Sequence, residues 1–534
     1  MPAEPPSGRV RDGGDAAPPT PRREPAARHA THTGVVAGLG DREPRPHQGR
    51  RGHLLAGVLL AVAVLGLLAP FARADPPAGL TGSNAPFTDE GFNLGNARNR
   101  ELFGRFGADD VDRSLTNGVY SALAAAVFRV TGARLAAGRA ISMACLAGAV
   151  LLLAVGLAEP FGRRAALLAA AALGGADLAL EHGRLAFVEP LVVVLLTGAF
   201  VVACAVRRRP SPALAALVGL LVAAAVSVKA TALLPGLVLL GGPLVTAVTG
   251  RDRARVAAGL AALGAAVAAA LVWLAAVALP NLDRLRTALR VWPEVSYPDS
   301  PAALATRLGD YLADSDQAIA RSAPLLVAAG IGLAAALAGW STLAPRQREA
   351  LLLAAGWGLG LWAAIAVGDY APNRYVVPAL PGLAVLAGFG LDGIAGLAGR
   401  ATALKPAVVA AVLGVAVAAP GIGRFLAAAD PGPGQRVAAE QTLAARVGDG
   451  VVYGAYAPTL LFDTRARTVA PWPPAHANTD DPVGRFGVTH VLVAERGDPT
   501  GEVPAFRDRA GMTRVAEVTW AGQELELYRI RTAG

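Results

Sequence analysis

Apolar residues come in long blocks separated by brief polar interruptions. The first block, "LLAGVLLAVAVLGLLAPFA" at 54–72, follows a stretch, 1–51, that is rich in Pro, Arg, Gly and Ala and has no apolar period. Further blocks of membrane length fall near 136–158, 164–180, 185–206, 212–228, 231–249, 255–279, 323–344, 348–367, 375–397 and 405–422, about eleven in all. "GVYSALAAAVFRV" at 118–130 is too short to cross and reads as an interfacial or re-entrant helix. "FARAD" after the first block resembles a signal-peptidase site, so a cleaved secretion signal competes with a first span there.

Beyond 422 the pattern changes. "RVAAEQTLAARV" has the period of a helix, "GVVYGAY" that of a strand, and "VGRFGVTHVLVAE" reads as a helix end followed by a strand. "TRVAEVTWAGQELELYRI" closes as a hairpin. The expected architecture is an α-helical polytopic membrane protein of about eleven transmembrane helices with a small C-terminal α/β domain. Its parts are a disordered tail at 1–51, a membrane domain at 52–422 and the α/β domain at 423–534. That last domain has no Gly-rich loop after a strand, so no nucleotide is assigned to it.

Charge supplies the orientation. The 534 residues are 54% hydrophobic and carry +9, and of 49 basic residues only Lys229 and Lys405 are lysine. No basic block is interleaved with aromatics as nucleic-acid binding requires, so the arginine is read as topological. The arginine-rich loops 159–164, 207–212, 250–255, 345–349 and 399–405 alternate with 181–184, 227–230 and 368–374. The first set belongs in the cytoplasm of a plasma-membrane protein. That puts the N-terminus inside, and the outer loop 73–135, the outer loop 280–322 and the C-terminal domain outside. Cys145 and Cys204 lie within apolar blocks and form neither a disulfide framework nor a metal motif.

This topology gathers ionisable residues at one face. The first outer loop brings Asp89 and Glu90, then Asp109, Asp110 and Asp112 from "GADDVDRS". "DLALEHGRLAFVEP" adds Asp177, His182, Arg184 and Glu189, "SVKAT" adds Lys229, and "GDYAPNRYVVPALP" adds Asp369, Asn373, Arg374 and Tyr375. Charges at such depth are expensive unless paired or hydrated, which makes them functional candidates. Carboxylates from one loop facing cations from separate hairpins suit a sugar carried on a lipid phosphate. The cations would bind the phosphate and stabilise the charge that grows on it, and a carboxylate would align the acceptor hydroxyl and take its proton.

The "DE" of the first loop, the "RLAFVEP" that opens a span, the lone lysine of a hairpin and the "NRYVVPALP" of a late span resemble the integral-membrane GT-C glycosyltransferases. More narrowly they are similar to the family 39/83 group of protein O-mannosyltransferases and lipid A aminoarabinose transferases. The resemblance covers roughly 54–422. It implies a GT-C fold and Asp89 as the catalytic carboxylate with Glu90 beside it. It further implies Arg184, Lys229 and Arg374 as donor-phosphate ligands, with Tyr375 in support. The donor is then a polyprenyl-phosphate-linked sugar in the lipid bilayer, and the acceptor a protein, glycolipid or polysaccharide. Many members carry a Pro-Pro pair late in the first loop, where this chain has "DRSLTNGVY".

Each residue also has a structural reading. Asp89 and Glu90 can be a solvated acid pair, and Asp109, Asp110 and Asp112 can be solvated or capping. Arg184, Lys229 and Arg374 can be snorkelling anchors. His182 can be interfacial, Glu189 can fix Arg184, and Tyr375 can be a belt aromatic. Trp292, Tyr297 and Tyr311 can stack on sugar or line an interfacial helix. No compact motif calls for a cofactor, though the acidic loop can hold a divalent cation against a phosphate. Two other functions fit the same composition. A transporter or lipid flippase would place its charges near mid-membrane. A non-catalytic scaffold would keep the fold without turnover.

Overall fold

The computed structural model describes residues 50–76, 89–107, 109–110, 112–249, 252–290, 298–313, 318–368, 372–429, 434–471, 478–494, 499–507, 511–520 and 522–531. The 1–51 tail, Asp369, Trp292 and Tyr297 therefore fall almost wholly or wholly outside the described residues.

Runs of Ala, Leu and Val without internal polar breaks fold as long helices. Among the described residues nine are long and apolar enough to cross a bilayer, and ten spans result if one bent pair is counted. The protein is thus a multi-pass membrane protein. The count falls short of eleven for identifiable reasons. The block expected at 164–180 is two helices, Arg163–Gly174 and Asp177–Gly183, that meet at 60°. Their break lies at Gly174–Gly175, where the backbone packs against the Pro406–Ala428 helix so closely that Gly175 and Gly421 leave no room for a Cβ. The block at 212–228 is a helix of 17 residues, Pro212–Val228, which spans only about 25 Å at 1.5 Å per residue. The expected 323–344 span begins earlier, as Ala318–Ala338, which brings Arg321 inside the helix.

The Leu380–Ala401 helix sits at the centre of the bundle and is buried along most of its length. It contacts the Arg163–Gly174, Ala318–Ala338 and Pro345–Ala366 helices. Glycines make those contacts possible. Gly382 meets Gly358 backbone to backbone, and Gly390 meets Gly332 in the same way, the small-residue packing by which helices associate where no hydrophobic force separates them from lipid. The first helix, Arg50–Leu68, packs on Leu135–Gly156, and Phe71 just beyond it lies edge-on to Phe425 with ring centroids 5.0 Å apart.

After the first membrane helix the described residues resume with a helix, Asp89–Phe103, followed by the short apolar helix Gly118–Thr131. The C-terminal region begins with the helix Gly434–Val447 and forms a five-stranded mixed sheet. Its strands are β1 (Val451–Tyr453), β2 (Arg467–Val469), β3 (His490–Ala494), β4 (Met512–Trp520) and β5 (Gln523–Ile530), in the order β2-β1-β3-β5-β4. β1 pairs in parallel with β2 and β3, and the β4–β5 hairpin closes the other edge antiparallel. The helix, β1, β3 and the hairpin lie where their patterns predicted, and the three-residue β2 carries too little pattern to be seen beforehand. Leu185 and Phe187, from the chain between two membrane helices, are buried in this domain's core with Leu443, Tyr456 and Leu460. The sheet domain and the membrane bundle therefore share apolar packing as well as polar contacts.

Candidate active site

The Asp89–Phe103 helix carries the acid pair at its first turn, where carboxylates favourably face the unpaired backbone N–H groups. Its position is set from two sides. Arg98, 2% exposed, is caged by backbone oxygens of the C-terminal domain: its Nε donates to Phe462 O at 2.7 Å, and its Nη2 to Thr464 O at 2.8 Å and Ala466 O at 2.7 Å. Burial pushes this guanidinium down to about 10, so it stays charged at neutral pH. Gly91 donates its amide to Thr459 Oγ1 at 3.1 Å, and a Cβ at Gly91 would collide with the Pro458–Thr459 backbone. On the membrane side the anchor is Glu90.

Glu90 is fully buried and both its oxygens are engaged. Arg139 donates from Nε to Oε1 at 2.8 Å and from Nη2 to Oε2 at 2.7 Å, and the Ala186 amide donates to Oε1 at 2.8 Å. Burial alone pushes the Glu90 carboxyl up, but the Arg139 charge and hydrogen bonds, with the Ala186 amide, outweigh it and hold the group below its ordinary value. Arg139 also donates to Ala74 O at 2.6 Å and Ala72 O at 3.2 Å, tying down the exit from the first membrane helix.

Asp89 points elsewhere. Its Oδ2 lies 3.2 Å from Arg374 Nη1, and both side chains keep contact with solvent. Arg374 opens the segment that leads into the central helix, and the Arg374 guanidinium carbon is 5.4 Å from the centroid of the Tyr375 ring. On that ring also lies Lys229 Nζ, 4.0 Å from the centroid, so one aromatic ring contacts two cations. Lys229 is ion-paired with Glu189, which is fully buried at the start of the Glu189–Arg208 helix. Arg113 completes the group: its guanidinium lies 5.6 Å from the Phe92 ring, and burial pushes it down while Asp89 works against that shift. The structure thus joins Asp89, Arg374, Tyr375, Lys229 and Glu189 in one continuous set of contacts.

Other expected site residues are engaged differently. Arg184 is 1% exposed and donates to the carbonyls of Asp75 at 2.8 Å and Ala74 at 3.4 Å. His182 is buried, its Nδ1 2.9 Å from Leu178 O and its ring 5.3 Å from that of Phe187. The acidic stretch of the first loop is divided. Asp110 pairs with Arg485 of the C-terminal domain at 2.6 Å, and Asp112 accepts from the Ser114 amide at 2.9 Å and Asn96 Nδ2 at 3.0 Å as a helix cap. Asp109 lies within the electrostatic surroundings of Arg113. Among the described residues no three His, Cys, Asp or Glu side chains converge as a metal-binding group would.

Four arginines that matter here escape a reading of the sequence. Arg139 offered a signal, an isolated charge inside an apolar block. Arg321 pairs with Asp177 at 2.7 Å and with Glu181, and its importance was hidden by the late placement of its helix. Arg98 and Arg113 look like ordinary loop charges until the fold encloses them.

No family model and no curated protein matches this chain. Solved structures do. ArnT from Cupriavidus metallidurans in the apo state matches with a TM-score of 0.61 at 16% identity, covering 89% of this chain and 98% of that one. The same protein bound to undecaprenyl phosphate matches with a TM-score of 0.57, again at 16% identity over 89% and 98% of the two chains. The chain therefore has an ArnT-like fold, which bears out the resemblance at the level of architecture.

Proposed function

We propose that this protein is an inverting glycosyltransferase that moves a sugar from a polyprenyl-phosphate donor to an acceptor on the extracytoplasmic side of the plasma membrane. The observation that carries the reading is the Asp89–Arg374 contact at 3.2 Å, a carboxylate and a guanidinium brought together from opposite ends of the membrane region. That the ArnT match includes a form bound to undecaprenyl phosphate supports the donor class.

In this scheme the donor's phosphate takes the Arg374 guanidinium, with Lys229 and Tyr375 alongside, and Asp89 is released toward the acceptor. The acceptor oxygen attacks the anomeric carbon from the face opposite the phosphate, a new C–O bond forms, and the bond to the phosphate oxygen breaks. The electron pair leaves on the polyprenyl phosphate, where Arg374 and Lys229 stabilise it. The hydroxyl proton goes to Asp89. A carboxylate is a far weaker base than the alkoxide left by a hydroxyl, so the transfer is late, and alignment is the larger contribution. Glu90 and Arg139 hold the helix that presents Asp89, and Arg184 holds the exit from the first membrane helix. The N-terminus is cytoplasmic, and the α/β domain that follows the Pro406–Ala428 helix is extracytoplasmic and anchors the helix bearing the acid. The test is to incubate membranes containing the protein with labelled polyprenyl-phosphate sugars and identify the product that gains label. Absence of transfer from every such donor overturns the reading.

A further inference from the structure

The opposite end of the bundle holds a cleft lined by arginines. Glu189 and Arg207 belong to one helix, Glu189–Arg208, and 18 residues at 1.5 Å each put them about 27 Å apart, close to the thickness of a hydrocarbon core. At the Arg207 end four of the arginine-rich loops come together around a cleft of about 340 Å³. Its charged lining is Arg207, Arg208, Arg255 and Arg346 against Glu159 and Glu349. Toward the membrane interior the lining turns apolar, with Leu353, Ala350 and Ala203.

The two glutamates do not use up the arginines. Arg207 is matched with Glu349 at 2.6 Å, but Arg208 and Arg346 share Glu159 at 3.5 and 3.7 Å, distances too long for strong contacts. Arg255 Nε is buried and makes no hydrogen bond among the described residues, an arrangement that is expensive unless a ligand supplies the acceptor. Arginine forks match phosphate oxygens, and a basic pocket between helices with an apolar floor suits a headgroup whose chains continue into the bilayer.

We infer that this cleft, on the membrane face opposite Asp89, binds the phosphate of an anionic glycerophospholipid. Arg255 and Arg346 grip the phosphate, and the apolar floor accepts the start of the acyl chains. The inference is independent of the reaction at the other face, since it shares no residue with it.

The test is a thermal melt of the full-length detergent-purified protein titrated with dioleoylphosphatidylglycerol, dioleoylphosphatidylcholine or inorganic phosphate. Phosphatidylglycerol should raise the melting temperature saturably, phosphatidylcholine should not, and inorganic phosphate should act only at far higher concentration. In Arg255→Gln/Arg346→Gln the phosphatidylglycerol midpoint should rise roughly tenfold or more, as two charge-assisted contacts are lost. Arg346→Glu, on an arm 46% exposed, gives the same direction without disturbing the Arg207–Glu349 pair, and so covers failure of the double variant to fold. Equal responses to the two lipids, or an unchanged midpoint in both variants, overturn the site. Inorganic phosphate matching phosphatidylglycerol in midpoint overturns its assignment to a lipid.

Discussion

Asp89 and Glu90 are adjacent acids on one helix, and each faces one arginine from a distant part of the chain, yet the two pairs are opposite in character. Glu90 and Arg139 are sealed, with 0% and 1% of their side chains exposed, and meet through two parallel hydrogen bonds. Asp89 and Arg374 keep 27% and 14% exposure and meet at 3.2 Å. Neighbouring helical residues project about 100° apart at 3.6 residues per turn, so a single step along the chain exchanges a sealed interior for partly solvated surroundings. The two pairs divide the labour. Opening a partly exposed pair costs about 1 kcal/mol or less, whereas removing one member of a buried pair costs about 3–5 kcal/mol. A contact that a substrate must open belongs to the first kind, and a contact that fixes the geometry belongs to the second.

Asp89→Asn strikes the open pair at its proton acceptor. It keeps the shape and removes the proton acceptor, so transfer of label should fall roughly 1,000-fold while the melting temperature of the purified protein holds. Full turnover would remove Asp89 from the chemistry. Glu90→Gln should do the converse, lowering stability by about 3 kcal/mol because Arg139 is left buried without its charge partner. A denaturation series reads that directly, and pairing it with Arg139→Gln should recover part of the loss. Undiminished stability combined with lost turnover would exchange the roles of the two acids.

How much of this was legible beforehand follows from sequence distance. The apolar blocks announce most spans, and the acid pair, Lys229 and "NRYVVPALP" stand out as polar islands at block ends. The C-terminal helix and longer strands show their own periods, because a period is a local property. Partnership is not local. Glu90 and Arg139 are separated by 49 positions, and nothing in either neighbourhood says which of two adjacent acids turns inward. The same limit applies to Arg98, which is defined by a cage of carbonyls 363 to 368 positions away. The bend at Gly174–Gly175 was also invisible, since an apolar block shows its composition but not the helix that will press against its glycines.

The guanidinium of the open pair answers for donor binding. Arg374→Ala should raise the donor KM by about tenfold, the scale of one charge-assisted phosphate contact, with little change in stability because the pair it breaks is partly solvated. Initial rates against donor concentration separate this from a loss of kcat. A KM unchanged from the parent protein would take Arg374 out of donor binding and leave the pair purely structural.

The smallest effect is one of pH, and it probes the sealed half. Arg139 and the Ala186 amide hold the folded Glu90 carboxyl below its ordinary value despite the opposing push of burial. A group whose folded value lies below its unfolded one contributes stability that is complete above the unfolded value, near 4.3 for glutamate. That contribution declines as pH falls from there through the folded value, because the unfolded chain takes up the proton first. The melting temperature should therefore carry no Glu90 contribution to its slope between about pH 8 and pH 5, and should acquire one below about pH 4. Other carboxylates titrate in the same acid range, so the measurement is the difference between the parent protein and Glu90→Gln. That difference should be constant at neutral pH and shrink on acidification, since protonating Glu90 does to the parent what the substitution has already done. A difference that stays constant down to pH 3 would mean that the buried carboxyl is not held charged by Arg139, and the contrast between the two acids would lose its electrostatic basis.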